Sequence, residues 1–409
     1  MDLLLRMAWR NIWRHSRRSV LTLLAIAFGV VLLVFNIGIQ QGSYDVMIDN
    51  TVRMFAGHIQ VQRKGYLDTP RIRTSIPNVS KLAADLRKTT GLETVSARAT
   101  GFALVSSRSR SYGVIITGVD PKYEPMVSSI PGTVRQGRYL SSPTANEAVV
   151  GSSLAKNLKI KIGDELTLLG SGRDGSVAAT VIPVVGIFNS GSTDFDRHMV
   201  HLPLQTFQEL FTMGDHGHAV VILSKNLEQL PDTMAKVKNY LGQDSKLVAL
   251  DWEQLLPGIK ELIELDIAAS WFIYITLVVI ITFSILNTFL MSVLERTREF
   301  GIMMALGAAP FRIGILVMLE AFVMSLLGVG IGLLLGAAIN YYFYVYGFSV
   351  PGMEEFAKQF NMPDSIRPQM SFFVFSIGPS VVLGATMIAA LYPALRIRLL
   401  KPVDAMHAV

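Results

Sequence analysis

The chain has 409 residues, 51% hydrophobic and 17% charged, with a mean hydropathy of +0.42 and no cysteine. That balance excludes both one soluble globule and a wholly buried transporter, and calls for membrane spans beside a sizeable aqueous domain. The missing cysteines exclude disulfides, thiolate metal sites and thiol catalysis.

The net charge of +6 gathers beside apolar runs. Residues 1–18 carry five Arg against Asp2, and residues 396–409 carry Arg396, Arg398 and Lys401 against Asp404. The middle region 42–267 is nearly balanced, with 24 basic and 23 acidic residues. This is the pattern of the positive-inside rule, and it excludes a nucleic-acid partner, whose footprint would lie on a folded domain face.

Residues 1–18 read as an amphipathic elbow helix on the cytoplasmic side. Leu5, Trp9, Ile12 and Trp13 fall on one side, with Arg6, Arg10, Arg14 and Arg17 on another. Arg6, Trp9, Arg10 and Trp13 are the expected interface anchors, with rings in lipid and guanidinium groups toward headgroups. A cleavable signal peptide would need a shorter apolar core and a small-residue cleavage site, and neither is present.

The predicted order is a first span at 19–41, an outer domain at 42–267 and a second span at 268–294. A connector at 295–312, a third span at 313–346, a loop at 347–370, a fourth span at 371–395 and a tail at 396–409 follow. Each apolar run is long enough to cross a bilayer. Four spans put both termini on one side, and the arginines make that side the cytoplasm. The fold class is therefore an α-helical integral membrane protein with a large periplasmic α/β domain inserted between spans one and two.

The outer domain shows strand character at Gly113–Val119, Ala148–Val150, Glu165–Leu169 and Ala179–Phe188, and helical patterns at Val79–Thr89, Ser153–Leu158 and Pro231–Leu241. Its length allows two subdomains, divided near 100 and again near 220. The loop at 347–370 contains Pro351, Pro363 and Pro368, which suits an ordered cap. In the third span Gly328, Gly332 and Gly336 form a small-residue stripe for close helix packing. Glu320 is an intramembrane charge in need of a partner, with Arg312 or an elbow arginine in reach. Asn36, Asn287 and Asn340 suit hydrogen bonds between helices better than ligand contacts.

Between the second and third spans, Glu295-Arg296-Thr297-Arg298-Glu299-Phe300-Gly301-Ile302-Met303-Met304-Ala305-Leu306-Gly307-Ala308 packs four alternating charges before an apolar series. Phe300, Ile302, Met303, Met304 and Leu306 predict a short amphipathic helix pressed on something apolar. This stretch resembles the coupling element of the permease family that includes LolC/LolE, the macrolide exporter MacB and the division protein FtsX (type VII ABC permeases). The resemblance extends to Gly57-His58-Ile59-Gln60-Val61, Gly137-Arg138-Tyr139-Leu140 and the run from Glu147 to Ala155. It continues through Lys161–Leu168, Val185–Phe188, Pro393-Ala394 and Lys401–Met406. Read on their own, these motifs are turns and strands, with Gly137 and Gly163 at tight turns and Asp164 closing one.

The resemblance implies a permease subunit whose Glu295, Arg296, Arg298, Glu299, Phe300, Gly301 and Met304 couple to a partner ABC ATPase present in two copies, which binds ATP and Mg. It also implies a second permease, identical or related, and membrane lipids around both. ATPase closure would move the outer domains and extrude amphiphilic, lipoprotein-like cargo from the outer leaflet of the inner membrane. Drug or peptide efflux as in the macrolide exporter, and signalling to a periplasmic hydrolase as in the division branch, are the alternatives. A periplasmic carrier or adaptor is a further possible partner. The chain departs from the chaperone-docking members at Leu169–Ser176, a short glycine-rich stretch that reads as a hairpin turn where they carry a longer hook.

No phosphate-binding loop and no Gly-x-Ser-x-Gly elbow occur, so the chain is expected to have no catalytic residues and no cofactor of its own. His198, His201, His216 and His218 cluster near Asp194, Asp196 and Asp215 in sequence. His198 and His201, three apart in a predicted strand, would point to opposite faces, so no metal site is expected.

Overall fold

The computed structural model describes residues 2–14, 16–107, 110–242, 246–349, 351–352 and 365–397. The chain divides into two compact units, residues 1–44 with 263–350 and 365–409, and residues 45–262 with 351–364.

In the first unit the elbow is helix α1, Asp2–Arg14, and the first span lies in α2, Ser16–Thr51. The second, third and fourth apolar helices are Pro257–Glu295, Pro310–Tyr346 and Phe372–Arg396. These helices run past the expected apolar stretches, because hydropathy marks what must lie in lipid while backbone hydrogen bonding continues into polar sequence. The first span is the hub. A Cβ at Gly328, Gly332 or Gly336 would come within 2.8, 2.7 and 3.3 Å of Ile26, Val30 and Val34, so the stripe seats the third span on the first. Gly29 meets Ile281 of the second span, and Gly378 of the fourth meets Leu33.

Polar side chains tie the first two spans together. Tyr44 donates to Asp266 at 2.6 Å, Gln40 bonds Ser270 at 2.5 Å, and Tyr274 donates to Gln40 at 2.5 Å and to Asn36 at 3.2 Å. Asn340 donates to the Val34 carbonyl at 3.2 Å. Asn36 and Asn340 therefore link helices. The loop after the third span is described only at its ends, where Phe348 pairs with Ile366. Pro363 and the closing motif from Lys401 to Met406 lie outside the described residues.

The second unit is built on ten strands: β1 Ile59–Arg63, β2 Val95–Ser107, β3 Arg110–Val119, β4 Val134–Gly137, β5 Ala148–Gly151, β6 Glu165–Ser171, β7 Val177–Phe188, β8 Met199–Pro203, β9 Ala219–Ile222 and β10 Leu247–Asp251. Among them lie α3 Val79–Thr90, α4 Glu124–Val127, α5 Ser152–Leu158, α6 Thr193–His198, α7 Leu204–Leu210, α8 Leu230–Leu241 and α9 Trp252–Leu255. We number the membrane helices onward as α10 Pro257–Glu295, α11 Thr297–Ala305, α12 Pro310–Tyr346 and α13 Phe372–Arg396.

Two substructures share β2. The order β10-β1-β9-β2, all antiparallel, with α3 following β1 and α8 following β9, is a doubled split βαβ unit. The pairings β2–β3–β8–β5–β7–β6 then return to β2, so six strands close a ring. Closure leaves those strands without a free edge. Ala103, Val105, Ile116, Leu166, Leu168 and Ile182 point into the buried core, which also takes the stacked rings of Phe207 and Phe211.

The motifs that carry the resemblance fall at structural joints. Gly137 has φ 76°, and a Cβ there would come within 2.1 Å of the Val185 carbonyl, so only glycine fits. Asp164 accepts from the Lys161 amide at 2.8 Å and closes its turn. The segment after β6 is a hairpin, with Ser171 paired to Val177.

Candidate functional site

The connector between the second and third spans is a helix fixed from behind. Helix α10 ends at Glu295, and the Thr297 hydroxyl donates to the carbonyls of Val293 at 3.1 Å and Leu294 at 2.8 Å, which caps it. Arg296 breaks the helical path and α11 runs on as a new helix. After α11 the Gly307 backbone, with φ 94°, turns the chain so that its amide meets the Met304 carbonyl at 3.0 Å. Pro310 then opens α12 at a position where a missing N–H costs nothing.

Phe300 and Met304 are buried with Val293, Ile313, Val317, Ala394 and Ile397, and Gly301 is buried beside them. Arg298, Ile302 and Leu306, spaced four apart, form the opposite face. Ile302 is 47% exposed and Leu306 83%, and Phe311 beyond the turn is also exposed. The expected coupling set therefore divides. Arg296, Phe300, Gly301 and Met304 point inward and hold the helix, whereas Arg298 faces out. Ile302 and Leu306 are exposed in this chain, because the helix buries only a narrow stripe of itself against α12 and the end of the fourth span.

Beneath α11 lies a chain of charges. The Arg296 guanidinium donates to both Glu320 oxygens at 3.0 Å and lies 5.1 Å from the Phe300 ring centre. Asn11 of the elbow donates to the same carboxylate at 2.5 Å. Arg296 also bonds Glu299 at 3.2 Å, and Glu299 pairs with Arg14 of the elbow at 2.6 Å. Arg18 pairs with Glu295 at 2.7 Å and donates to the Thr288 carbonyl. The intramembrane Glu320 thus finds its partner in Arg296, not in Arg312 or an elbow arginine. The chain reverses at Gly307 and lays the connector back against α12, which a reading along a single helix cannot foresee. On the elbow itself Ala8 and Ile12 are buried, while Arg6, Trp9, Arg10 and Trp13 are exposed, with the two indoles edge to face at 5.9 Å.

An apolar cavity of about 220 Å³ lies among Leu33, Ile37, Trp271, Val278, Phe373 and Val381 of the first, second and fourth spans. Gln40 and Tyr274 of the polar tie border it.

The outer-domain histidines serve separate structural roles. His201 is buried, shares a hydrogen bond of 2.9 Å with the Tyr139 hydroxyl, and is held neutral by burial, its pKa lowered to about 3. His218 accepts from the Thr100 amide at 2.8 Å and donates to the Ile72 carbonyl at 3.0 Å, its pKa lowered to about 4, again chiefly by burial. His198 sits at the end of α6, not in a strand, against the Asp194 carbonyl at 3.0 Å, and His216 lies 2.9 Å from Asp215. Among the described residues no three His, Cys, Asp or Glu side chains are placed to share a metal ion.

Sequence reasoning missed Arg98 and Glu124. Glu124, fully buried, accepts from Arg98 at 2.6 and 3.2 Å and from Ser96 at 3.0 Å. Arg98 also donates to the Phe55 carbonyl in the π-helical turn Val52–Ala56. A lone arginine in the otherwise small and apolar run from Val95 to Ala99 was the available signal.

The family described as MacB-like periplasmic core domain matches residues 19–240, and that described as FtsX-like permease C-terminal matches residues 271–402. The chain is 21% identical over 403 residues to the lipoprotein-releasing system transmembrane protein LolC of Neisseria meningitidis serogroup B, covering 95% of this chain and 94% of that one. It is 22% identical over 422 residues to the LolE counterpart of Haemophilus influenzae, covering 97% and 98%. It is 22% identical over 429 residues to the macrolide export ATP-binding/permease protein MacB of Bdellovibrio bacteriovorus, covering 98% of this chain but 61% of that protein.

Proposed function

The chain belongs to the ABC-transporter permease family that joins a MacB-like periplasmic core domain to an FtsX-like C-terminal domain, and on that premise we propose that it is the membrane subunit of an ATP-driven extruder of amphiphilic, lipoprotein-like cargo. A separate ABC ATPase, in two copies, binds ATP and Mg and grips the Arg298, Ile302 and Leu306 face of α11. A second permease, identical or related, completes the complex. Both termini and the connector lie in the cytoplasm, in keeping with the arginines at 1–18 and 396–398.

The observation that carries this reading is the division of α11. Its inner stripe is anchored by Phe300, Met304 and the Arg296–Glu320 pair, so a push on its outer face moves the ends of α10 and α12 and is not absorbed locally. Helix α10 passes the stroke outward. One observation favours lipid-linked cargo over macrolide efflux: the apolar cavity bordered by Gln40 and Tyr274 suits an acyl chain entering from the bilayer. The match over nearly the full length of the two lipoprotein-releasing relatives, against 61% of the macrolide exporter, supports an ATPase on a separate chain.

Purification of the tagged chain in gentle detergent, with co-purifying proteins and lipids identified by mass spectrometry, tests it. An ATPase together with acylated proteins is the expected result. An ATPase with an adaptor and an outer-membrane duct, without acylated cargo, would turn the reading to efflux. Recovery of no ATPase would overturn it.

A further inference from the structure

We infer that the split βαβ part of the outer domain carries a binding site for phosphate, free or borne on a small molecule, at the start of α3. A cavity of about 470 Å³ opens there, within the size range of small-molecule sites. Its wall holds three cations, Arg63 at the end of β1, Lys81 in the first turn of α3 and Lys246 before β10. Among the described residues of the wall one carboxylate stands against them, Asp85, which already accepts from the Tyr240 hydroxyl at 3.2 Å.

The helix start is prepared for an anion. Its cap residue, Asn78, takes φ 51° in the left-handed region and makes no side-chain cap bond. The Val79 amide is used by the Asp215 carbonyl at 3.2 Å, which leaves the first-turn amides of Ser80 and Lys81 for another acceptor. Those amides and the positive end of the helix favour a bound oxyanion. An independent observation points the same way. Ser75, 2% exposed, lines the cavity, and its hydroxyl has no hydrogen-bond partner. A buried hydroxyl left unsatisfied is costly and calls for an acceptor. Nothing in this site depends on what the spans transport.

Calorimetric titration of the full chain in detergent, at constant ionic strength, with inorganic phosphate and separately with glycerol 3-phosphate tests it. Saturable uptake of one equivalent is expected for at least one probe. Tighter uptake of glycerol 3-phosphate would identify a phosphorylated organic ligand, and preference for inorganic phosphate the free ion. Arg63→Ala with Lys81→Ala should weaken binding about tenfold or more, as the loss of charge-assisted hydrogen bonds predicts. Lys81→Arg should largely retain it, and Ser75→Ala should weaken it less than the double variant. Arg63 and Lys81 are exposed, so the variants leave the fold in place. Failure of both probes to bind saturably, or binding unchanged in the double variant, would overturn the assignment.

Discussion

Among the described residues each unit of this protein buries one Arg–Glu pair, and the two are built differently. In the outer domain Arg98 and Glu124 are 2% and 0% exposed, and both Glu124 oxygens accept, Oε1 from Arg98 and Oε2 from Arg98 and Ser96. In the membrane unit Arg296 and Glu320 are also buried, yet the pair continues through Glu299 to Arg14, whose side chains are 40% and 58% exposed. The first is enclosed, with both partners buried and a further bond from Arg98 to the Phe55 carbonyl. The second is a chain graded from inside to outside, from the buried Arg296–Glu320 pair to the part-exposed Glu299 and the exposed Arg14.

The sharpest way to break the comparison is to remove the acid from each pair. Glu124→Ala leaves Arg98 buried and unable to lose its charge, and should destabilise the outer domain by about 3–5 kcal/mol. Hydrogen exchange on the full chain would report this as lost protection in β2 and α4. Glu320→Ala leaves Arg296 with Glu299 and the Phe300 ring as remaining partners, so a smaller loss of about 1–3 kcal/mol is expected, read as looser protection confined to α11 and α12. Equal losses would mean that the grading has no energetic content.

Packing in the bundle is the next lever. Gly332→Val would set a branched side chain where even a Cβ comes within 2.7 Å of Val30, and should cost about 1–3 kcal/mol by forcing the first and third spans apart. Thermal unfolding in detergent measures it. Acid should act on the outer domain through its buried neutral histidines. Their folded pKa values, about 3 for His201 and about 4 for His218, lie below the ordinary value of 6.5. The unfolded chain therefore takes up protons first. Stability is full above about pH 6.5 and falls by about 1.4 kcal/mol per pH unit for each histidine as pH drops toward the folded values. A pH series of exchange protection in β2, β8 and β9 checks the slope. Smallest of all, Arg14→Ala removes an exposed ion pair and should cost at most about 1 kcal/mol while loosening the elbow from Glu299.

The membrane layout was readable because a bilayer leaves few options. The Gly328, Gly332 and Gly336 stripe announced a close helix, and the demand of Glu320 for a partner was plain. The partner was not, since helical spacing sees Arg312 and cannot see a chain that reverses at Gly307. The ring in the outer domain was hidden for a similar reason. Its closure rests on pairing Ala103–Ser106 with Thr167–Gly170, residues brought together by topology and not by any local pattern. His198 looks like strand in sequence because the apolar residues that follow it form β8, while Ser192, whose side chain accepts from the Phe195 amide, starts α6 just before. The split of α11 into an anchored and an open face was half legible. The charges and apolar positions foretold an amphipathic helix, but which stripe turned inward depended on Ala394 and Ile397 far along the chain.

The most direct test is site-specific photo-crosslinking along α11 in intact cells. A photoreactive residue at Ile302 or Leu306 should capture the ATPase, and one at Phe300 or Met304 should not. Capture from the inner positions with none from the outer ones would contradict the account.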